Sequence, residues 1–304
     1  RLREILASEK LIYNIIKDEL LEIKEKYGDR RRTRIMPSAD DIDIEDMIEE
    51  EDVIITLTHY GYIKRLPEDT YRTQRRGGKG ITGLTTREED FVEDLFITST
   101  HDTILFFTNK GKVYSLKAYE IPEGKRQARG TAIINLLNLT GDEKVNAVIP
   151  IEKYDPESNL VLMTRKGTIK KTKLEHFKNI RKNGIIAISL KEDDELIGVK
   201  KTNGKREIIV VTARGMAIRF NEKDVREMGR NAMGVKAITL KEDDVVVAMD
   251  LVEEGKHLLV ISEFGFGKRT PLDEYRAQNR GGVGLKTYNV KKKTGNLVSA
   301  KVID

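Results

Sequence analysis

The chain has 304 residues, 38% of them hydrophobic, a net charge of +5 and no cysteine. That content can fill a sizeable core, while the missing cysteines exclude disulfides, thiolate nucleophiles and zinc–thiolate sites and fit a reducing cytoplasm. No apolar run is long enough to span a membrane, no leader pattern opens the sequence, and the lack of Trp argues against tryptophan-bearing propeller repeats.

In residues 1–27, Leu2, Ile5, Ile12, Ile16, Ile23 and Tyr27 recur at three- and four-residue steps, and Leu6, Leu11, Ile15 and Leu20 widen the stripe. This spacing predicts one amphipathic helix of about 26 residues, roughly 39 Å long, closed by Gly28. Its apolar face calls for a partner helix. Asp29-Arg-Arg-Arg-Thr-Arg34 follows, and then nine acids fall within Asp40–Asp52. An acidic run of this kind is either a solvated hinge or a strap that competes for basic surface. Domains are therefore expected at 1–34, 35–52 (the acidic linker) and 53–304.

From residue 53 the sequence repeats. A Thr/Ser-x-x-Gly turn closes an apolar run at Gly61, Gly111, Gly167, Gly215 and Gly265. A second glycine follows at Gly78, Gly130, Gly184, Gly234 and Gly282, after 17, 19, 17, 19 and 17 residues. Each copy carries four strand-like runs, in copy four Glu207–Thr212, Met216–Phe220, Val235–Leu240 and Val245–Asp250. The first pair reads as a hairpin on the glycine turn, the last as a pair joined by an acidic turn such as Lys241-Glu-Asp-Asp244. Four strands about every 50 residues predict an all-β array of propeller-like blades, with a linear β-solenoid as the weaker alternative.

Charge divides unevenly along the chain. Residues 1–52 hold 10 Lys/Arg and 16 Asp/Glu, a net of −6, which leaves +11 on the repeats. The cations keep register. Lys64, Tyr114, Lys170, Ile218 and Lys268 follow the turn glycine by three residues, and Arg65, Ser115, Lys171, Arg219 and Arg269 by four. Arg126, Arg129, Arg181, Arg230 and Arg280 stand in the loops before the second glycine. Equivalent positions on a disc share a radius, so these residues predict a cationic belt for a polyanion, with arginine suited to a bidentate grip on phosphate. Strand-end lysines that discourage edge pairing would explain part of the pattern. Bending about 20–30 bp of duplex by 40–90° costs on the order of 1–6 kcal/mol, which many phosphate contacts must offset.

The densest stretch is Gln74-Arg75-Arg76-Gly77-Gly78-Lys79-Gly80. Its cations attract phosphate, and its glycines let backbone N–H groups converge on an anion. The heptad matches letter for letter the box that marks the DNA-wrapping C-terminal domain of DNA gyrase A subunits. Thr58-His-Tyr-Gly-Tyr-Ile-Lys-Arg65 and Gly267-Lys-Arg-Thr270 resemble that family too, and Gln278-Asn-Arg-Gly-Gly-Val-Gly284 is a degenerate box. The resemblance implies a six-bladed β-pinwheel that exchanges strands between blades, with five copies visible here, preceded by the end of a coiled-coil helix. It implies wrapping of sequence-nonspecific double-stranded DNA within an A2B2 assembly that holds the gyrase B subunit plus a second copy of the A subunit. That ATP-dependent type II topoisomerase introduces negative supercoils in the bacterial cytoplasm, at the nucleoid. ATP and Mg2+ would act elsewhere in the holoenzyme, as would the cleaving tyrosine.

No cofactor or metal is expected in this segment: His59, His101, His176 and His257 do not share a register position, and no phosphate-loop motif occurs. The competing readings are the wrapping domain of topoisomerase IV, whose box is usually degraded, and a propeller scaffold for acidic proteins.

Overall fold

The computed structural model describes residues 1–30, 33, 44–70, 90–252 and 257–304. It divides into two units, 1–47 and 48–304. Over residues 1–27 the first carries two α-helices in place of the single one expected, α1 (Leu2–Leu6) and α2 (Glu9–Tyr27). The chain breaks at Ser8, whose backbone is extended at φ −129° and ψ 106°. Serine favours a helix start over a helix interior. Gly28 ends α2 in an extended conformation, not a left-handed one. A side chain there would strike the Lys24 carbonyl. No residue of either helix is buried, so the stripe from Leu2 to Tyr27 stays open.

The described residues of the second unit form five sheets. Blade one holds β1 (Asp52–Thr58), β2 (Tyr62–Pro67) and β3 (Val92–Ser99). Blade two contributes β4 (Thr103–Thr108), β5 (Lys112–Lys117), β6 (Thr131–Ala132) and β7 (Val145–Ile151); blade three β8 (Asn159–Thr164), β9 (Thr168–Lys173), β10 (Ile185–Ile186) and β11 (Leu196–Thr202). Blade four supplies β12 (Glu207–Thr212), β13 (Met216–Asn221), β14 (Val235–Lys236) and β15 (Val246–Val252); blade five β16 (His257–Ser262), β17 (Gly267–Pro271), β18 (Leu285–Lys286) and β19 (Leu297–Ile303).

The expected hairpins form, for example β12 against β13 with Val210 opposite Ile218. The third strand departs from expectation. It is only two residues long, and it pairs with the preceding blade. The sheet orders are β3-β1-β2-β6, β10-β5-β4-β7, β11-β8-β9-β14, β15-β12-β13-β18 and β17-β16-β19. Copies two to five therefore each send an arm back, and the arm's N–H groups take the turn-glycine carbonyl of the earlier blade, as Ala187 does on Gly111 and Ala237 on Gly167. The resemblance implied this exchange; the repeat spacing did not.

The cores lie between successive blades. Leu105, Phe107 and Val113 of blade two pack on Leu160, Leu162 and Phe177 of blade three, and similar clusters join blades one to two, three to four and four to five. A single blade buries only one face, which is why the sheets must stack. Strands β7, β11, β15 and β19 adjoin one another at one edge of their sheets. The arms and the strands they pair with occupy the opposite, outer edge.

The paired acids do more than turn the chain. Asp193 and Asp243 take φ of +55° at the turn. Their neighbours Asp194 and Asp244 are buried and hold the hairpin: Asp244 accepts from the Thr212 hydroxyl at 2.7 Å and from the Arg214 N–H at 3.0 Å. The same threonine oxygen accepts from the Met216 N–H at 3.2 Å. The Thr-x-x-Gly motif and the acidic turn are thus two halves of one polar lock.

Candidate nucleic-acid interface

Register alone placed the cations on a belt; their side chains go to three different places. Lys64 and Lys170 are fully buried. The Lys64 ammonium donates to the carbonyls of Lys125 at 3.2 Å, Arg126 at 2.5 Å and Ala128 at 3.0 Å. Lys170 donates to the carbonyls of Ala187, Gly229 and Arg230. Burial holds both ammoniums below the usual lysine range, and with Arg230 adding repulsion Lys170 falls to about 8. Lys171 is buried too, and donates to the Glu222 carbonyl at 3.0 Å. These three were expected to face a ligand and do not. They tie the arm of the next copy to the blade.

Arg65 and Arg219 form a second group, largely enclosed clamps. Arg65 donates to the Ile121 carbonyl at 3.2 Å and lies 3.7 Å from Glu51. Arg219 grips Glu207 through two nitrogens at 2.7 and 2.5 Å and the Leu272 carbonyl at 2.7 Å. Their charge is satisfied inside the fold.

The third group faces solvent on the outer edge. Among the described residues, the side chains of Arg126, Arg181, Arg230 and Arg269 meet no hydrogen-bonding or ionic partner; Arg181 and Arg269 are exposed, Arg126 and Arg230 half-buried. Lys268 is exposed and donates to the Thr287 carbonyl at 3.2 Å. Arg280 donates to the carbonyls of Asp224 and Lys236. Arg129 lies over the Tyr62 ring at 5.1 Å, with its Nε buried and unpartnered. Among the described residues, Arg65 and Arg219 alone of the twelve belt residues are set against carboxylates, so most of the belt's charge is not cancelled by described acids.

The box from Gln74 to Gly80 lies outside the described residues. Its degenerate counterpart does not. Gln278 donates its N–H to the Arg219 carbonyl, and Gly281 donates to that of Ala237. Gly284 at φ +81° opens β18. A Cβ on Gly284 would fall under 3.0 Å from the Ala217 carbonyl, as one on Gly130 or Gly234 would from Ile63 or Ile169. Gly282 meets no such crowding. The anchor of copy five is therefore Gly284, not Gly282, and its spacing from Gly265 is 19 residues. Among the described residues no three His, Cys, Asp or Glu side chains are grouped to hold a metal, and no helix is long and apolar enough to cross a membrane.

One signal for the buried lysines was present in the sequence. The position they share holds Tyr114 in copy two and Ile218 in copy four, and both are buried. An apolar residue in two copies points to an interior register position, which holds in copies one to four; in copy five the equivalent Lys268 is exposed.

The family profile described as DNA gyrase C-terminal domain, beta-propeller, matches residues 52–99, 102–152, 158–203, 206–253 and 256–304, one match per blade. The DNA gyrase A subunit of Clostridium acetobutylicum is 60% identical over 233 residues, covering 77% of this chain and 28% of that protein. Its counterpart in Halalkalibacterium halodurans is 56% identical over the same shares, and that of Staphylococcus epidermidis 50% over 77% and 26%. The chain thus spans about a quarter of the length of these relatives. Among solved structures, a C-terminal domain of DNA topoisomerase IV superposes with a TM-score of 0.73 at 30% identity, over 85% of this chain and 79% of that one. A DNA gyrase A C-terminal domain superposes with 0.68 at 30% identity, over 84% and 83%.

Proposed function

The chain belongs to the DNA gyrase C-terminal domain family, and on that premise we propose that it is the part of a gyrase A subunit that wraps duplex DNA. The observation that carries the reading is one of geometry: Arg126, Arg181, Arg230 and Arg269, with Lys268 and Arg280, present cations along the outer edge of successive blades. Duplex laid there meets phosphate-binding groups at blade intervals and, among the described residues, no base-reading element. Binding is therefore sequence-nonspecific and driven by counterion release. The intact box at 74–80 supports assignment to gyrase.

In this reading the whole enzyme is an A2B2 type II topoisomerase of the bacterial cytoplasm. Cleavage and ATP hydrolysis belong to other segments and to the B subunit, where ATP and Mg2+ are bound. The curved path presents the transported segment across the cleaved one with a fixed hand, so strand passage lowers the linking number.

The test is DNA topology. A nicked circle is bound to the chain and ligated, and a positive linking-number change is expected; no change refutes wrapping. In the holoenzyme, replacing Arg75, Arg76 and Lys79 by Ala is expected to abolish negative supercoiling while relaxation continues. The superposition on a topoisomerase IV domain, at the same 30% identity as the gyrase domain, favours a second reading. A holoenzyme that decatenates and never supercoils relaxed plasmid would establish it. Indifference to duplex across a salt series, with capture of acidic proteins, would indicate a scaffold instead.

A further inference from the structure

The outer edge is not uniform, and its exception is a groove at blade two. Four residues after the turn glycine, blades one, three and four carry Arg65, Lys171 and Arg219, each reaching a carbonyl of the next copy's short helical turn. Beside those residues the arm also bows back and makes a parallel bridge to the strand, with Arg65 opposite Glu123, Lys171 opposite Glu227 and Arg219 opposite Ala277. Blade two has Ser115 at this position. The arm that should cover it comes from copy three and is two residues shorter: Gly184 follows Gly167 by 17 residues, whereas 19 separate Gly111 from Gly130, Gly215 from Gly234 and Gly265 from Gly284. A short side chain and a short arm leave the space unfilled. The result is an open cavity of about 900 Å³ between the β5 edge and the arm.

Its walls are cationic. Lys117, Lys178, Arg181 and Arg230 line it, against the single carboxylate Glu120, which accepts the Lys117 N–H at 2.7 Å. The side chains of Lys178, Arg181 and Arg230 have no hydrogen-bonding or ionic partner among the described residues. Three uncompensated cations around a recess focus potential more strongly than the same charges on a convex surface. Phosphate oxygens are the ligand chemistry that this donor set takes.

We infer that this groove seats the phosphodiester backbone of the bound duplex, drawing consecutive phosphates of one strand into the edge at blade two where the other blades only support them from outside. The inference rests on the DNA-wrapping reading and names the place where the wrapped path is gripped most deeply.

Ser115→Arg provides the sharpest test, because simple electrostatics and the groove predict opposite signs. An added cation on a basic edge should tighten binding. An arginine at 115, placed as Arg65 and Arg219 are, fills the groove and turns its guanidinium onto the arm, so binding should weaken. The assay is fluorescence anisotropy of a labelled duplex of about 40 bp with the full chain, across a salt series. Each phosphate contact contributes about 0.9 to the slope of log K against log salt, or about eightfold in affinity at 0.1 M relative to 1 M.

Ser115→Arg is expected to lower affinity about 10-fold or more with thermal stability unchanged or raised. Lys178→Ala with Arg181→Ala should reduce the slope by about 2 and affinity by roughly 60-fold. Lys241→Ala, in the acidic turn of blade four, should change affinity less than about twofold. Equal or tighter binding by a folded Ser115→Arg chain overturns the groove and leaves DNA wrapping standing. If that variant does not fold, an unchanged slope in the double alanine variant overturns it. A fluorescent nucleotide held in the groove with duplex affinity untouched by the same substitutions also overturns it. Failure of the unmodified chain to bind duplex at any salt refutes the wrapping reading itself.

Discussion

Replacing Gly284 by Ala, with Gly282 as its neighbour control, tests how the arms dock. Gly284 sits at φ +81°, where an L side chain is strained. Holding alanine there costs on the order of 1–2 kcal/mol. Its Cβ would also lie under 3.0 Å from the Ala217 carbonyl oxygen and must retreat to about 3.4 Å. Strand β18 consists of Leu285 and Lys286 alone, opposite Ala217 and Met216, so a retreat of that size loosens most of its pairing. One or two backbone hydrogen bonds at about 1 kcal/mol each bring the total to roughly 2–4 kcal/mol. Gly282 has unexceptional φ, and a methyl placed on it would meet its nearest atom, at the tip of the Ile218 side chain, at an ordinary 3.5 Å. Its alanine variant should therefore stay within about 0.5 kcal/mol of the parent. The measurement is urea denaturation of the full chain together with amide exchange at Leu285 and Thr287. Equal costs for the two substitutions, or a Gly284→Ala variant with unaltered protection at Thr287, would refute the docking register.

The remaining predictions separate scaffold from interface. Lys171→Met removes the donor to the Glu222 carbonyl and should cost about 1–3 kcal/mol of stability while the salt slope of duplex binding stays unchanged; Arg269→Ala should do the reverse, lowering the slope by about 0.9 with stability intact. Asp244→Ala strands the Thr212 hydroxyl and the Arg214 N–H and should destabilise by about 2–3 kcal/mol, read by thermal melting. Burial pushes Glu143 up, but bonds from Thr108, Thr140 and Tyr114 outweigh it and leave its carboxyl below the ordinary value. A depressed carboxylate contributes stability above its unfolded value and loses it as pH falls through the folded one, so Glu143→Gln should flatten the acid limb of a stability–pH curve. Burial and the bond to Glu143 raise the Tyr114 phenol to about 12. A raised acid contributes below its unfolded value and is lost between about 10 and 12, so Tyr114→Phe should flatten that alkaline limb.

What the sequence disclosed follows from the range of the interactions involved. The hairpins were legible because Thr-x-x-Gly turns are local: the glycine supplies the conformation, and the threonine hydroxyl is bonded four residues on. The arm was not, because two residues such as Val235 and Lys236 carry no periodic signal, and their partners Ile169 and Thr168 lie more than sixty positions away. The acidic turns were readable as turns, yet Asp244 reaches Thr212 across 32 residues and so acts in packing. The belt was half legible. Arg181 and Arg269 face outward as their register suggests, whereas Lys64 and Lys170 sit in a strand position that is buried as Tyr114 in copy two and Ile218 in copy four. The groove combined two visible facts, Ser115 and a spacing of 17, whose meaning depends on knowing that the third strand crosses to another blade.

The buried lysines and the exposed arginines are physically connected. A loop that is to receive phosphate must keep its carbonyl oxygens away from the ligand, since their partial negative charge repels it. Lys64 draws in the carbonyls of Lys125, Arg126 and Ala128, and Lys170 those of Gly229 and Arg230. The same loops carry the Arg126 and Arg230 side chains on the outer edge. An interior ammonium therefore settles the electrostatics of the surface above it without touching the ligand. Lysine suits that task better than arginine, because its compact head can satisfy three carbonyls converging from different directions, whereas a planar guanidinium spreads its donors in a fork. Arginine holds the complementary places, where the partner is a carboxylate such as Glu207 or, under the proposed function, a phosphate outside the fold.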